Sequence, residues 1–152
     1  MPIINEPTDF GCRVAFLDPL TVTDLQRWAR DVESAVAGRS GFGLVIDVRH
    51  HDRAGRDVEV THALRDAMIM IRGWGLRRAA LIVPDQIAAR RLMRLVQGYT
   101  PDIGERFIDG RHPGCEEAAR AWILYGDEPF ETLTPTWRAS LSAVADPGCT
   151  PA

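Results

Sequence analysis

Between residues 47 and 62 the chain gathers most of the side chains that could do chemistry. His50, His51 and Asp52 stand in a row, and His62 follows. Imidazoles and carboxylates are competent zinc or iron ligands. Neighbouring histidines in an extended segment point in opposite directions, however, so joint ligation is awkward and ordinary solvated imidazoles are the competing reading. Arg49, Arg53 and Arg56 bring three guanidinium groups into the same stretch. They suit a partner's carboxylates or a phosphate, helped by a helix starting at Asp57. Local pairing with Asp52, Asp57 and Glu59 would balance the same charges. Asp47 closes an apolar run. It either orients the loop or takes a ligand's hydrogen bond, or it accepts backbone N–H groups of the following turn.

Two further sets carry weaker signals. Arg90, Arg91 and Arg94, with Arg77 and Arg78, form either a basic patch or a solvated helix face. Met68, Met70 and Met93, with the tryptophans, either line a pocket for a small apolar ligand or fill the core. The chain has no Gly-x-Ser-x-Gly elbow, no GxxxxGK[ST] loop and no HExxH motif. No catalytic residue and no cofactor is therefore assigned. The remaining reading with an enzyme in it is a metal-dependent one at His50, His51, Asp52 and His62.

The elements that must position these residues follow from periodicity. Ile3-Ile4 and Arg13–Leu17 predict a β-hairpin across the turn chemistry of Glu6–Gly11. Thr23-Asp24-Leu25-Gln26 matches a capping box and predicts a helix with Leu25, Trp28, Ala29, Val32 and Val36 on one face. The run Leu44-Val45-Ile46 predicts a strand buried on both faces, as in a parallel sheet. Asp57 should cap a second helix to about Arg72, with Val60, Leu64, Ala67, Ile71 and Trp74 inward and Ala63, Met68 and Met70 widening that face. Arg78–Val83 is a strand. Asp85 caps a third helix with Ala88, Leu92, Leu95, Val96 and Tyr99 inward. Glu105–Ile108 is a short edge strand, and Cys115–Leu124 a fourth helix with Ala118, Ala119, Trp122 and Ile123 inward. The fold class is therefore α/β: a mixed sheet with an N-terminal β-hairpin, then βα units with helices packed on the sheet. Residues 1–124 make this domain. Residues 125–152 are a linker and a weak amphipathic helix carrying Trp137, Leu141 and Val144, which bury on their own domain or in a homodimer.

At 152 residues and 45% hydrophobic content the chain can bury a sizeable core. A formal net charge of -3 argues against a dedicated nucleic-acid binder. All 18 cations are arginine, a usage spread evenly enough to be compositional. Cys12, Cys115 and Cys149 have neither zinc nor disulfide spacing. No apolar run approaches the ~20 residues that span a bilayer, and the N-terminus lacks the pattern of a signal peptide. A cytoplasmic protein of bacterial type, without stable membrane insertion, is expected.

This pattern resembles the SpoIIAA-like (STAS) domains, in the branch described as STAS/SEC14-like. The resemblance covers about residues 1–124. It is carried by the hairpin into Leu20-Thr21, the strands Leu44–Val48 and Ala79–Val83, and Glu105–Asp109 followed by Glu116–Ile123. It implies a non-enzymatic, regulatory protein-interaction module. In relatives of that kind a serine in an Asp-Ser-Ser-Gly turn after the central strand is phosphorylated. The counterpart here is Asp52-Arg53-Ala54-Gly55, with both serines replaced, and no Ser or Thr occurs from Arg49 to Val60. The expectation is a partner surface at Asp47, Arg49, Asp52, Arg53, Gly55, Arg56 and Asp57 without the phosphoswitch, binding a protein. The SEC14-like label keeps open a carrier or sensor of a small apolar, lipid-like ligand.

Overall fold

The computed structural model describes residues 2–51, 57–96 and 104–129, with residues 93–96 described as helix backbone only. Among these residues an opening hairpin is followed by alternating helices and strands: β1 (Ile3–Pro7), β2 (Gly11–Phe16), α1 (Val22–Val36), β3 (Phe42–Asp47), α2 (Val58–Gly73), β4 (Leu76–Val83), α3 (Gln86–Val96), β5 (Gly104–Asp109) and α4 (Cys115–Tyr125). The strands lie in sequence order, β1-β2-β3-β4-β5. β1 is antiparallel to β2, and every later pair is parallel. The sheet is thus mixed, as its order of elements predicts.

Sequential order decides the layering. Each crossover from β2 to β5 steps the same way across the sheet, and right-handed crossovers then place α1, α2 and α3 on one face. Their core joins Leu25, Trp28 and Val32 of α1 and Met68 and Ile71 of α2 to Val14, Phe16, Leu44, Ile46 and Leu81 of the strands. Phe16 and Trp28 meet edge to face at 5.1 Å. The opposite face belongs to α4, whose Cys115, Ala119, Trp122 and Ile123 cover Val45, Ala80, Ile82 and Ile108. Burial from both sides accounts for the unbroken apolar runs of β3 and β4. α4 can lie this close because of Gly43, where a Cβ would fall 2.1 Å from a methyl of Ile123. The Trp122 indole N–H donates to the Ala79 and Gly104 carbonyls at 3.2 and 3.0 Å, and the Arg106 guanidinium stacks 4.0 Å above its ring.

Most element boundaries match the periodicity, with three differences. α1 starts two residues earlier than the Thr23 box predicts. Thr21 is the N-cap, its hydroxyl accepting from Asp24 N while the Asp24 carboxylate accepts from Thr21 N. An Asp three residues after the cap serves the role that Gln26 was expected to play. Met70 does not widen the core face of α2; it is 51% exposed, whereas Met68 is 3% exposed. Arg78 is not part of a patch with α3. It lies on the α4 face, donating to the Ile123 carbonyl at 3.2 Å and to the Trp122 carbonyl, which also accepts the Gly126 N–H, at 3.4 Å. Leu95 and Val96 have no described side chains, and Met93, Arg94, Tyr99, Trp137, Leu141 and Val144 likewise fall outside the side chains described. Among the described residues no helix is long and apolar enough to cross a membrane.

Candidate functional site

The middle of β2 and the carboxyl ends of β3 and β5 bring side chains to the start of α4, and charge concentrates there. Alternation along β3 puts Phe42, Leu44 and Ile46 under α1–α3 and leaves Val45 and Asp47 facing α4. Asp47 is 2% exposed. A carboxylate this deep needs partners, and four hydrogen bonds supply them. Oδ1 accepts from the Arg49 backbone N–H and from Arg49 Nε, both at 3.0 Å. Oδ2 accepts from Arg49 Nη2 at 2.8 Å and from Arg13 Nη2 at 3.0 Å. Arg13 reaches it from β2, where its register partner is Val45, so both side chains share the α4 face.

Glu116, in the first turn of α4, closes the arrangement into a ring of alternating charge. Its Oε1 accepts from Arg13 Nη2 at 2.6 Å and from Arg49 Nη2 at 2.8 Å, and its Oε2 from Arg13 Nε at 3.3 Å. The side chains of Arg13 and Arg49 are 22% and 25% exposed, that of Glu116 42%, and that of Asp47 3%. The ring therefore grades from a buried anion, through two half-buried cations, to an anion at the surface. Burial by itself would raise the Asp47 pKa. The bonds from Arg49 and the charge of Arg13 outweigh it and hold the carboxyl below its usual range. Glu116 in turn raises Arg13, and Asp47 raises Arg49, so both stay cationic.

Arg49 is also fixed by shape. Its Nη1 donates to the buried Cys115 sulfur at 3.3 Å. Gly110 lies against its methylenes, and a Cβ there would stand 2.5 Å from Arg49 Cδ and 2.8 Å from the Val83 carbonyl. The end of β5 repeats the same device. Asp109 accepts from the Arg111 backbone N–H at 2.9 Å and from Arg111 Nη2 at 2.7 Å, and the Arg111 bond holds the Asp109 carboxyl low. An Asp-x-Arg step thus ends both β3 and β5.

The expected site residues divide as follows. Asp47 does accept the backbone N–H of the turn, but its main partners are two guanidinium groups. Among the described residues Arg49 pairs with Asp47 and Glu116, because α4 brings a carboxylate within reach, and not with Asp57 or Glu59. Asp57 caps α2, its carboxylate accepting from Glu59 N at 3.1 Å and Val60 N at 3.2 Å. Thr61, the first hydroxyl after the loop, is buried and donates to the Asp57 carbonyl. His51 is buried with its Nδ1 on the Asp18 carboxylate at the end of β2. His50 is exposed, and His62 lies in a groove between α1 and α2. Among the described residues no three ligand-type side chains gather for a metal. Asp52, Arg53, Gly55 and Arg56 lie outside the described residues.

Arg13, Asp18, Cys115 and Glu116 are the members that sequence reading missed. Arg13 had a signal: a lone charge inside the strand Cys12-Arg13-Val14 needs a partner on its own face. Glu116, 103 residues away from Arg13, had none. Under α2 and α3 the described core holds a cavity of about 20 Å³, lined by Ile46, Leu64, Met68, Leu81 and Leu92 with Thr61, Arg65 and Glu105. That is room for a water, whereas sites for small-molecule ligands run to roughly 300–1,000 Å³. A lipid-like ligand would have to move a helix aside to enter this cavity, whereas the open groove between α1 and α2 beside His62, Ala63 and Met70 measures about 680 Å³. Comparison of the chain with protein-family models, with curated proteins and with solved structures finds no match in any of the three.

Proposed function

We propose that this chain is a non-enzymatic protein-interaction module of the STAS type, working without a serine phosphoswitch. Its recognition surface is the loop from Arg49 to Asp57 and the adjoining start of α2. One observation carries the reading: both ends of this loop are fixed by buried or capping carboxylates. Asp47 holds Arg49 through its backbone and its side chain, and Asp57 caps α2. A short loop pinned at each end to a packed sheet and a helix is how folds present recognition residues with little loss of order on binding. The order of elements agrees with the resemblance, which places a partner surface at this same turn. The hydroxyl nearest to it, Thr61, is committed to the helix backbone, so recognition here is constitutive.

The test is affinity capture from the host's own lysate with the full chain and with Arg53→Glu/Arg56→Glu. The expected result is a defined set of proteins retained by the wild type and lost with the double variant, whose melting temperature is unchanged. Binding is then reconstituted with the purified partner. Equal capture by both chains would remove the loop as the surface, and absence of any saturable partner would remove the interaction reading.

A further inference from the structure

The arginine pair beside this loop is already occupied by a carboxylate, and the occupant is the chain's own Glu116. We propose that Arg13 and Arg49 form a carboxylate-binding site, and that Glu116 closes it until an incoming carboxylate takes its place. This deepens the function proposed above by naming the chemistry of the partner: an acidic side chain or chain end.

Three features of the geometry separate this site from an ordinary ion-pair network. The first is the difference between the two anions. Asp47 is sealed beneath α4 and binds through four hydrogen bonds, so it sets the positions of both guanidinium groups from below. Glu116 has a side chain 42% exposed, and among the described residues its carboxylate accepts hydrogen bonds from the two arginines. Rotation of its side chain releases it without moving α4. Glu116 is the most exposed member of the ring, so water can solvate its carboxylate once it is released.

The second feature is preorganisation. Arg49 is held by Asp47, by Cys115 and by the close approach of Gly110, and Arg13 by Asp47 and its place in β2. The two Nη2 groups converge on one oxygen, Glu116 Oε1, at 2.6 and 2.8 Å. They would converge on a ligand's oxygen in the same way after exchange, at little cost in side-chain order. The fork of a guanidinium matches a carboxylate in two-point contact. Arg13 Nη1 has no hydrogen-bond partner among the described residues, which leaves donors for the incoming group. The third is the backbone. The N-cap of α4 is Gly114, which offers no side chain to the first turn. The positive end of the helix then acts on whichever carboxylate occupies the site.

Binding of two probes, acetate and a blocked tetraglutamate peptide, to the full chain tests this. Chemical shifts of the arginine Nε–Hε groups report it, in the wild type and in Glu116→Gln. The Gln variant keeps the helix surface and removes the competing charge. It is expected to bind at least tenfold tighter than the wild type, with the Arg13 and Arg49 resonances moving together. Arg13→Lys in the Glu116→Gln background keeps the charge but loses the fork, and is expected to lose most of that gain. Binding of acetate and peptide alike identifies a site for any small acid; binding of the peptide alone identifies a site for a partner chain. Equal affinity of wild type and Glu116→Gln for both probes would overturn the proposal. So would tighter binding that leaves the Arg13 and Arg49 resonances unmoved. Either result leaves lysate capture by the Arg53 and Arg56 loop untouched, so the two readings fail separately.

Discussion

Asp47→Asn isolates the buried anion of the ring with little change of volume. The amide oxygen can still accept the Arg49 backbone N–H, but both guanidinium groups lose their anionic partner beneath the sheet edge. Removing one partner of a buried ion pair costs about 3–5 kcal/mol. Here the side chains of Arg13 and Arg49 remain 22% and 25% exposed, and Glu116 still pairs with both. Rehydration offsets part of the loss, so the expected cost is about 2–3 kcal/mol at pH 7 on that basis. For a chain of this size it corresponds to a fall in Tm of roughly 4–12 °C. The sign of the pH dependence follows from the lowered Asp47 pKa. A carboxyl whose folded pKa is depressed stabilises the fold above its unfolded value near 3.9 and loses that contribution as pH falls through the folded value. The gap between wild type and Asp47→Asn in urea unfolding should therefore be full at pH 7 and pH 5 and narrow below about pH 4. A gap under about 0.5 kcal/mol at pH 7, the level of an ordinary surface change, would refute the ring as a structural element. A gap that does not change with pH would refute the assignment of the charge to Asp47.

Two further predictions concern how the site is positioned. Gly110→Ala places a methyl 2.5 Å from Arg49 Cδ and 2.8 Å from the Val83 carbonyl. Overpacking of this kind costs about 1–3 kcal/mol, and urea unfolding should show it together with a shifted Arg49 Nε–Hε resonance; a neutral result would mean that β5 does not constrain Arg49. Thr21→Ala should lower stability by about 1 kcal/mol, as lost N-caps do, while Thr23→Ala stays within about 0.5 kcal/mol; the reverse order in thermal melts would restore the Thr23 box.

Local signals in the sequence were sufficient for the elements. The stripe Leu25, Trp28, Ala29, Val32 and Val36 is buried as its spacing predicts, and Asp57 caps α2 where the carboxylate precedes an apolar run. Where local signals competed, the outcome turned on detail that spacing does not carry. Thr21 and Thr23 both precede the stripe, and the choice fell to the one with an acidic residue three positions on. Met68 and Met70 both look like core, but two residues along a helix is a rotation of about 200°, so only one of them can face the sheet. The charge ring was less legible, because its members come from β2, the end of β3 and α4. Only the Asp47–Arg49 step is local, and it carried a signal that was available: the same Asp-x-Arg spacing occurs at Asp109–Arg111, again where a strand stops.

The two Asp-x-Arg steps are alike in their bonds and differ in what lies over them. Arg111, with a side chain 68% exposed, pairs with Asp109 at 2.7 Å. Asp47 faces α4, so Arg49 is held under that helix at 25% exposure. The presence of Arg13 makes the buried pair cationic in excess, and among the described residues Glu116 of α4 restores neutrality. The anchoring of the β3 end is therefore coupled to the docking of α4 on the opposite face from the three crossover helices. Any event that draws Glu116 away leaves a net positive charge next to the start of the Arg49–Asp57 loop. A partner with an acidic group at that point would neutralise it. The sheet thus joins its two candidate contact elements, α4 and the β3–α2 loop, through one buried carboxylate.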